Sequence, residues 1–505
     1  MSKIKNKQFT LGAIISYVAI AFNIVSGLLY TPWMIHTIGD DQYALYSLAT
    51  SVVSMFMLDF GISASVTKFL SNYYANGDYD KANRFMGIVY KVFFAITAVI
   101  AVVLSVVYLF IDSIYVKLSA NELAIFKNLF IIVAVYSVFS FPCLTFNGTL
   151  IANERFIEVK ICNLGQKVFN VALIVIFLLI GLDVYSLVLV NVLSNVVFYM
   201  LKYYFIRKKT QTRAVMSYWD KNDAKELFSY SVWVTVLNIA QRFIFNIMPT
   251  VITACIGASM VTMFSLSSVI EGYVYMFSDA INGMFMPKVS KILVNDKSGN
   301  ELLSLMVKVS RYHVCTLGLL FVGFLCLGRQ FVTLWMGSGY LSVYYCTLAM
   351  IFPSLFTTPM QVGNTALLSK GIIRPNALIY VFISVVNVAL SVILLPIINI
   401  YGAAVSVCIC YLISFALKGT LIKREFGINF RKYFKETYLK WSAVALLTAL
   451  AGVILNTFIT FGGWLSFLIK GIIIFTVYFG LFVALCLDGS EKSSVKQKIK
   501  SILRR

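Results

Sequence analysis

Apolar residues run through this chain in blocks too long for a globular core helix, and polar residues are gathered in the short gaps between them. Crossing about 30 Å of hydrocarbon takes roughly 20 consecutive helical residues that are mostly apolar. Fourteen stretches reach that length, at 11–35, 43–70, 86–111, 124–151, 161–181, 185–205, 227–251, 259–287, 307–328, 341–368, 377–397, 401–420, 441–460 and 464–487. The pattern predicts an all-α integral membrane protein with about 14 transmembrane helices.

The blocks also repeat. NVALIVIFLLI from Asn170 and NVALSVILLPI from Asn387 agree at eight of eleven positions, 217 residues apart. Asn23 recurs as Asn238, Pro32 as Pro249, Gly39 as Gly257, Tyr46-Ser47-Leu48 as Phe264-Ser265-Leu266, and Val184-Tyr185 as Ile400-Tyr401, with offsets between 215 and 218. Agreement in both order and spacing marks spans 1 to 6 and 7 to 12 as duplicated halves. Because six is even, both copies enter the membrane in the same sense, a parallel repeat about the membrane normal. The expected plan is two pseudo-symmetric six-helix lobes, 1–208 and 227–425, joined by a linker at 209–226. Spans 13 and 14 and a basic tail occupy 426–505. The linker region RKKTQTRAVMSYWDKNDAKELF carries Val215, Met216, Tyr218, Trp219, Leu227 and Phe228, enough apolar surface for an interfacial helix.

Composition agrees: 60% hydrophobic residues, 12% charged residues and a mean hydropathy of +0.86 exclude a soluble domain. The net charge of +21 does not point to nucleic acid, because the basic residues sit in short juxtamembrane loops and in the tail SSVKQKIKSILRR, where they meet anionic lipid. With the N-terminus inside, the outer loops hold only Lys117 and Arg329. That asymmetry supports the count of fourteen and places both termini in the cytoplasm. The first apolar run is too long for a signal peptide and reads as an uncleaved span. Nine cysteines show no CxxC or metal spacing, and neither a disulfide nor a metal site is expected. There is no GxxxxGK[ST] phosphate loop, and the only histidines are His36 and His313. No enzyme chemistry or cofactor is read here; the work must draw on an ion gradient or a partner.

Polar groups inside hydrocarbon remain to be accounted for. An ionisable group at the bilayer centre costs about 2.5–3.5 kcal/mol on insertion scales, so each must face protein or water. Four lie deep: Asp59, Arg242, Glu271 and Asp279. Asn238, Arg242 and Asn246 share one helical face on the seventh span, and Glu271, Tyr275 and Asp279 one on the eighth. Further stripes are Asp59, Ser63 and Thr67; Asn163, Lys167 and Asn170; and Asn376, Tyr380, Ser384 and Asn387. Each stripe has a second reading as interhelical hydrogen bonding, and Arg242 with Glu271 has one as a structural ion pair. Lys68, Lys202 and Lys418 lie near cytoplasmic ends and are expected to snorkel to the headgroups. Lys91 and Lys167 lie deeper, where snorkelling and anion binding are both open.

The stretches YALYSLATSVVSMFMLDFGISASVTKFLSNYYANGDYDKANR, FVTLWMGSGY and NVALSVILLPIINIYGAA resemble the polysaccharide transporter branch of the multidrug, oligosaccharidyl-lipid and polysaccharide exporter superfamily. The resemblance implies fourteen spans in two lobes in a bacterial cytoplasmic membrane. It also implies a flippase that moves undecaprenyl-diphosphate-linked oligosaccharides outward for O-antigen, capsule or exopolysaccharide synthesis. Polymerases and chain-length regulators are the protein partners it suggests. On that reading Arg242, helped by Lys91 and Lys167, attracts the diphosphate, Asn238, Asn246, Asn170 and Asn387 meet sugar, and Asp59, Glu271 and Asp279 are candidates for proton or sodium coupling. Other readings are a lipid II flippase, a multidrug exporter of the same superfamily, and a non-transporting scaffold for glycan enzymes.

Overall fold

A computed structural model of the chain describes residues 2–56, 62–282, 299–459 and 462–487, with Val289 and Ile292 besides. Among the described residues there is no strand. The first helices are Ser2–Ile38 (α1), Asp40–Phe56 (α2), Ile62–Ala75 (α3), Tyr79–Ile114 (α4), Ala120–Ser140 (α5), Thr145–Ala152 (α6), Phe156–Leu179 (α7) and Tyr185–Lys209 (α8). Lys221–Asn246 (α9), Met248–Ile256 (α10) and Ser259–Asn282 (α11) follow, then Asn300–Trp335 (α12), Leu341–Ile351 (α13), Ser354–Thr357 (α14) and Gln361–Ser369 (α15). The last are Ile373–Ile398 (α16), Tyr401–Phe426 (α17), Phe430–Phe434 (α18), Lys440–Phe458 (α19) and Gly463–Leu485 (α20).

Twelve helical segments among the described residues are long and apolar enough to cross a membrane. The two further expected spans fall where the description is interrupted or ends: 43–70 is occupied by α2 and α3 with 57–61 between them, and 259–287 by α11. The outer surfaces are apolar, the inverse of a soluble protein. On α4, Val99, Val102, Val106 and Leu109 form an exposed stripe at helical spacing, and on α19 Leu446, Leu450, Val453 and Ile454 form another. Such stripes are stable only against lipid.

Local sequence explains where the helices stop. Ser119 and Glu122 form a capping box at the start of α5, with Ser119 N donating to Glu122 Oε2 at 2.8 Å and Glu122 N to Ser119 Oγ at 3.3 Å. Gly39 after α1 and Gly257 after α10, partners in the sequence repeat, both take positive φ (86° and 103°), where a side chain would be strained. Val184 and Ile400, also partners, sit at the N-caps of α8 and α17 with near-identical dihedrals, φ −49°, ψ −29° and φ −54°, ψ −27°. These paired positions thus share backbone geometry.

Proline divides three of the expected spans. The fourth is α5, a 3₁₀ turn over Phe141–Leu144 containing Pro142, and α6. Its repeat partner, the tenth, is interrupted at Pro353 and Pro359 between α13, α14 and α15. The seventh breaks at Ile247, with Pro249 in the first turn of α10. A proline removes one backbone donor and frees carbonyls in the turn before it. Neighbouring side chains pair the carbonyls of this bend: Ser310 Oγ donates to Pro359 O at 3.0 Å, and Tyr438 OH to Leu355 O at 3.0 Å.

The chain falls into two compact units, Met1–Ser265 and Leu266–Arg505. In the first, α1 packs on α7, α2 on α5, α3 on α4 and α6, and α7 on α8; α9 lies against α2, α3 and α4. In the second, α16 packs on α17, α13 on α17, and α12 carries the C-terminal pair α19 and α20. The linker corrects its expectation: residues 210–220 form no interfacial helix but an irregular strap. Asparagine, arginine and threonine side chains take up its backbone and side-chain polar groups, so helical hydrogen bonding is not required.

Candidate functional site

In the first unit, Asn238, Arg242 and Asn246 lie on the one continuous helix α9, which ends at Asn246. The stripe therefore leads into the break before Pro249. Asn238 and Asn246 are half-buried and Arg242 is exposed. Arg242 Nη1 donates to the Ser54 carbonyl on α2 at 3.2 Å. A guanidinium presents five donors in a planar fork, the geometry that matches a bidentate anion. Lys91, on α4, donates to Tyr218 O of the strap at 3.1 Å. Lys167, on α7, is exposed, and among the described residues it has no hydrogen-bond or ion-pair partner.

The amides of α7 and α8 are zipped together. Asn170 Nδ2 donates to Asn191 Oδ1 at 2.8 Å, Gln166 Nε2 to Asn195 Oδ1, and Lys202 Nζ to Asn163 Oδ1 at 2.8 Å. Asn191 Nδ2 in turn donates to Tyr46 OH on α2 at 2.9 Å. Three rungs and a phenol thus run down the fifth and sixth spans. Sequence reading found Asn163 and Asn170 on the α7 side of this ladder and missed Gln166 and the α8 asparagines. The signal was present: Asn191, Asn195 and Lys202 stand at i, i+4 and i+11, one face of a helix.

In the second unit, Asn387 is fully buried, and Ser406 Oγ on α17 donates to its Oδ1 at 3.0 Å. Ser384 donates to its own helix, at Val381 O, and Asn376 is 3% exposed with its Oδ1 unpaired among the described residues. Glu271 is 6% exposed, and among the described residues its carboxylate makes no hydrogen bond or ion pair. Glu271, Tyr275 and Tyr380 all lie near the Tyr411 side chain. Asp59 lies outside the described residues; Asp279 is within α11, but its side chain lies outside them.

The expected snorkelling of Lys202 and Lys418 is corrected. They are 3% and 4% exposed, and each ammonium turns to a partner on the adjacent helix instead of to headgroups. For Lys202 the partner is Asn163; for Lys418 it is the Tyr380 ring, whose centroid is 3.6 Å from Nζ. The offsets, 216 for the lysines and 217 for the partners, are those of the repeat. A close hydrogen bond or aromatic face offsets the loss of water where the stem would otherwise have to uncurl past packed neighbours.

Long apolar helices with lipid-facing stripes and polar ladders between them define a multi-pass membrane protein. The chain belongs to the polysaccharide biosynthesis protein family, whose model matches residues 10–294. Its fold is similar to that of MurJ, a lipid II flippase in an inward closed conformation, with a TM-score of 0.70 at 15% identity over 93% of this chain and 99% of that one. An inward-facing multidrug resistance transporter of the MATE family matches with a TM-score of 0.63 at 12% identity, over 82% of this chain and 98% of its own. A transporter of the MOP superfamily from Pyrococcus furiosus gives 0.57 at 12% identity, over 83% and 95%. No curated protein matches the sequence.

Proposed function

We propose that this protein is a flippase for polyprenyl-diphosphate-linked oligosaccharides, undecaprenyl diphosphate being the carrier, in a bacterial cytoplasmic membrane with both termini on the cytoplasmic side. The observation that carries the reading is membership of a polysaccharide biosynthesis family in a chain whose fold follows that of a lipid II flippase along 93% of its length. The multidrug transporter covers 82%.

The site chemistry suits such a cargo. A diphosphate is held best by fixed cationic donors in a medium of low dielectric, and a planar guanidinium binds phosphate oxygens two at a time. Arg242 is the central donor, with Lys91 and Lys167 drawing the anion toward it. Sugar hydroxyls meet the amides of Asn238, Asn246 and Asn170, and that of Asn387 once its bond to Ser406 is exchanged. The polyprenyl tail stays in lipid. Glu271, a buried carboxylate with no ion pair among the described residues, is the leading carrier for a coupling proton or sodium ion, with Asp59 and Asp279 as the others. The products served are O-antigen, capsule or exopolysaccharide, with a polymerase and chain-length regulator downstream.

Loss of the gene in its host tests this directly. Lipid-linked repeat units are expected to accumulate in the inner leaflet while surface polysaccharide disappears, and Arg242→Ala, present at normal levels in the membrane, is expected not to restore it. Normal surface polysaccharide together with lost drug efflux would contradict the proposal.

A further inference from the structure

The ammonium of Lys91 already holds an oxygen, supplied by the strap. Residues 210–219 run along one face of α4 that carries Asn83, Gly87 and Lys91 at i, i+4 and i+8. Arg213 N donates to Asn83 Oδ1 at 2.6 Å, and Val215 N to Asn83 O at 3.1 Å. At Gly87 the strap passes so close that a β-carbon would collide with the Val215 carbonyl. At Lys91, Nζ reaches Tyr218 O. Farther back, Thr212 Oγ1 pairs with Tyr74 OH and accepts from Asn153 Nδ2 at 3.2 Å. The Arg213 guanidinium donates to the carbonyls of Arg207, Thr210 and Thr212.

Two cations and two rings meet where the strap ends. Arg84, two helical turns before Lys91 on the same face, lies 5.4 Å from the Tyr218 ring centroid, and Lys91 Nζ lies 5.8 Å from that of Trp219. Trp219 is 50% exposed, and Arg84 is exposed. A neutral carbonyl is a weaker acceptor for an ammonium than a phosphoryl oxygen, so Tyr218 O is an exchangeable occupant. An open indole face matches the C–H face of a pyranose.

We propose that Arg84, Lys91 and Trp219 form a loading site for the diphosphate-sugar head of a polyprenyl lipid. A phosphoryl oxygen takes the place of the Tyr218 carbonyl on Lys91, Arg84 neutralises the second phosphate, and the first sugar ring stacks on Trp219. The strap then lifts from α4, so arrival of cargo is signalled to the segment leading into α9. The inference rests on the flippase reading, and its test separates the two.

The full chain is placed in lipid nanodiscs with undecaprenyl diphosphate, the same lipid bearing an oligosaccharide, or extra phosphatidylglycerol. Binding and the rate of trypsin cleavage after Arg213 are followed. Both diphosphate lipids are expected to bind and to speed cleavage severalfold. Lys91→Gln is expected to weaken both by roughly tenfold, and Trp219→Ala to weaken the sugar-bearing lipid alone by roughly tenfold. Gly87→Ala is expected to be cleaved fast without any lipid; should it not fold, the other two variants carry the test. Diphosphate lipids that bind with unchanged cleavage and with indifference to Lys91→Gln would overturn this site and leave the flippase reading intact. Failure of both diphosphate lipids to bind would overturn both. Equal competition by phosphatidylglycerol at Lys91 would show a general lipid anchor and overturn the site.

Discussion

Lys202 and Lys418 show what a membrane interior demands of a single residue. Each is buried on the sixth span of its half, and each found the same solution, a partner from the preceding span. Lys202→Ala leaves the half-buried Asn163 Oδ1 without its donor, a loss of about 1 kcal/mol. Lys202→Met keeps the stem and removes the buried charge, so it is expected to fall less. Thermal denaturation in detergent distinguishes them, and equal stability of both with the native protein would show the bond to be idle. Burial of these lysines could not be read from the chain, because distance from a span end says nothing about which neighbour is packed alongside. Placing Arg242 on a face with Asn238 and Asn246 needed only helical period, whereas its contact with Ser54, 188 residues away, needed tertiary structure.

At the scale of elements, the C-terminal pair shows how an addition outside the repeat is fixed. Trp441 Nε1 on α19 donates to Tyr478 OH on α20 at 2.9 Å, and that hydroxyl donates to Val314 O on α12 at 2.8 Å. The junction closes over Gly318, where a β-carbon would strike both Trp441 Nε1 and Tyr478 OH. Gly318→Ala is expected to break this chain and destabilise the protein by about 1–3 kcal/mol through overpacking, read as a lower melting temperature. An unchanged melting temperature would mean that the pair is held by its apolar contacts alone. Lengths of apolar runs made the helices legible in the sequence. The strap was not legible, because irregular backbone has no period, and its hydrogen bonds come from Asn83 and Lys91, far away in the chain. The divided fourth and tenth spans lay between: Pro142, Pro353 and Pro359 were visible, but apolar length alone ran straight through them.

For the whole molecule, duplication joins the sequence to the proposed activity. Matched glycine turns, matched N-caps and matched buried lysines recur at the offset of the sequence repeat, and a parallel repeat suits the alternating access of the proposed flippase. The most direct test is leaflet exposure in proteoliposomes loaded with labelled undecaprenyl-diphosphate oligosaccharide, with and without an imposed proton or sodium gradient. The account predicts that the native protein carries the sugar across the bilayer faster with the productive gradient and that folded Arg242→Ala moves little of it. A native protein that leaves every lipid-linked oligosaccharide in its original leaflet would contradict the central claim.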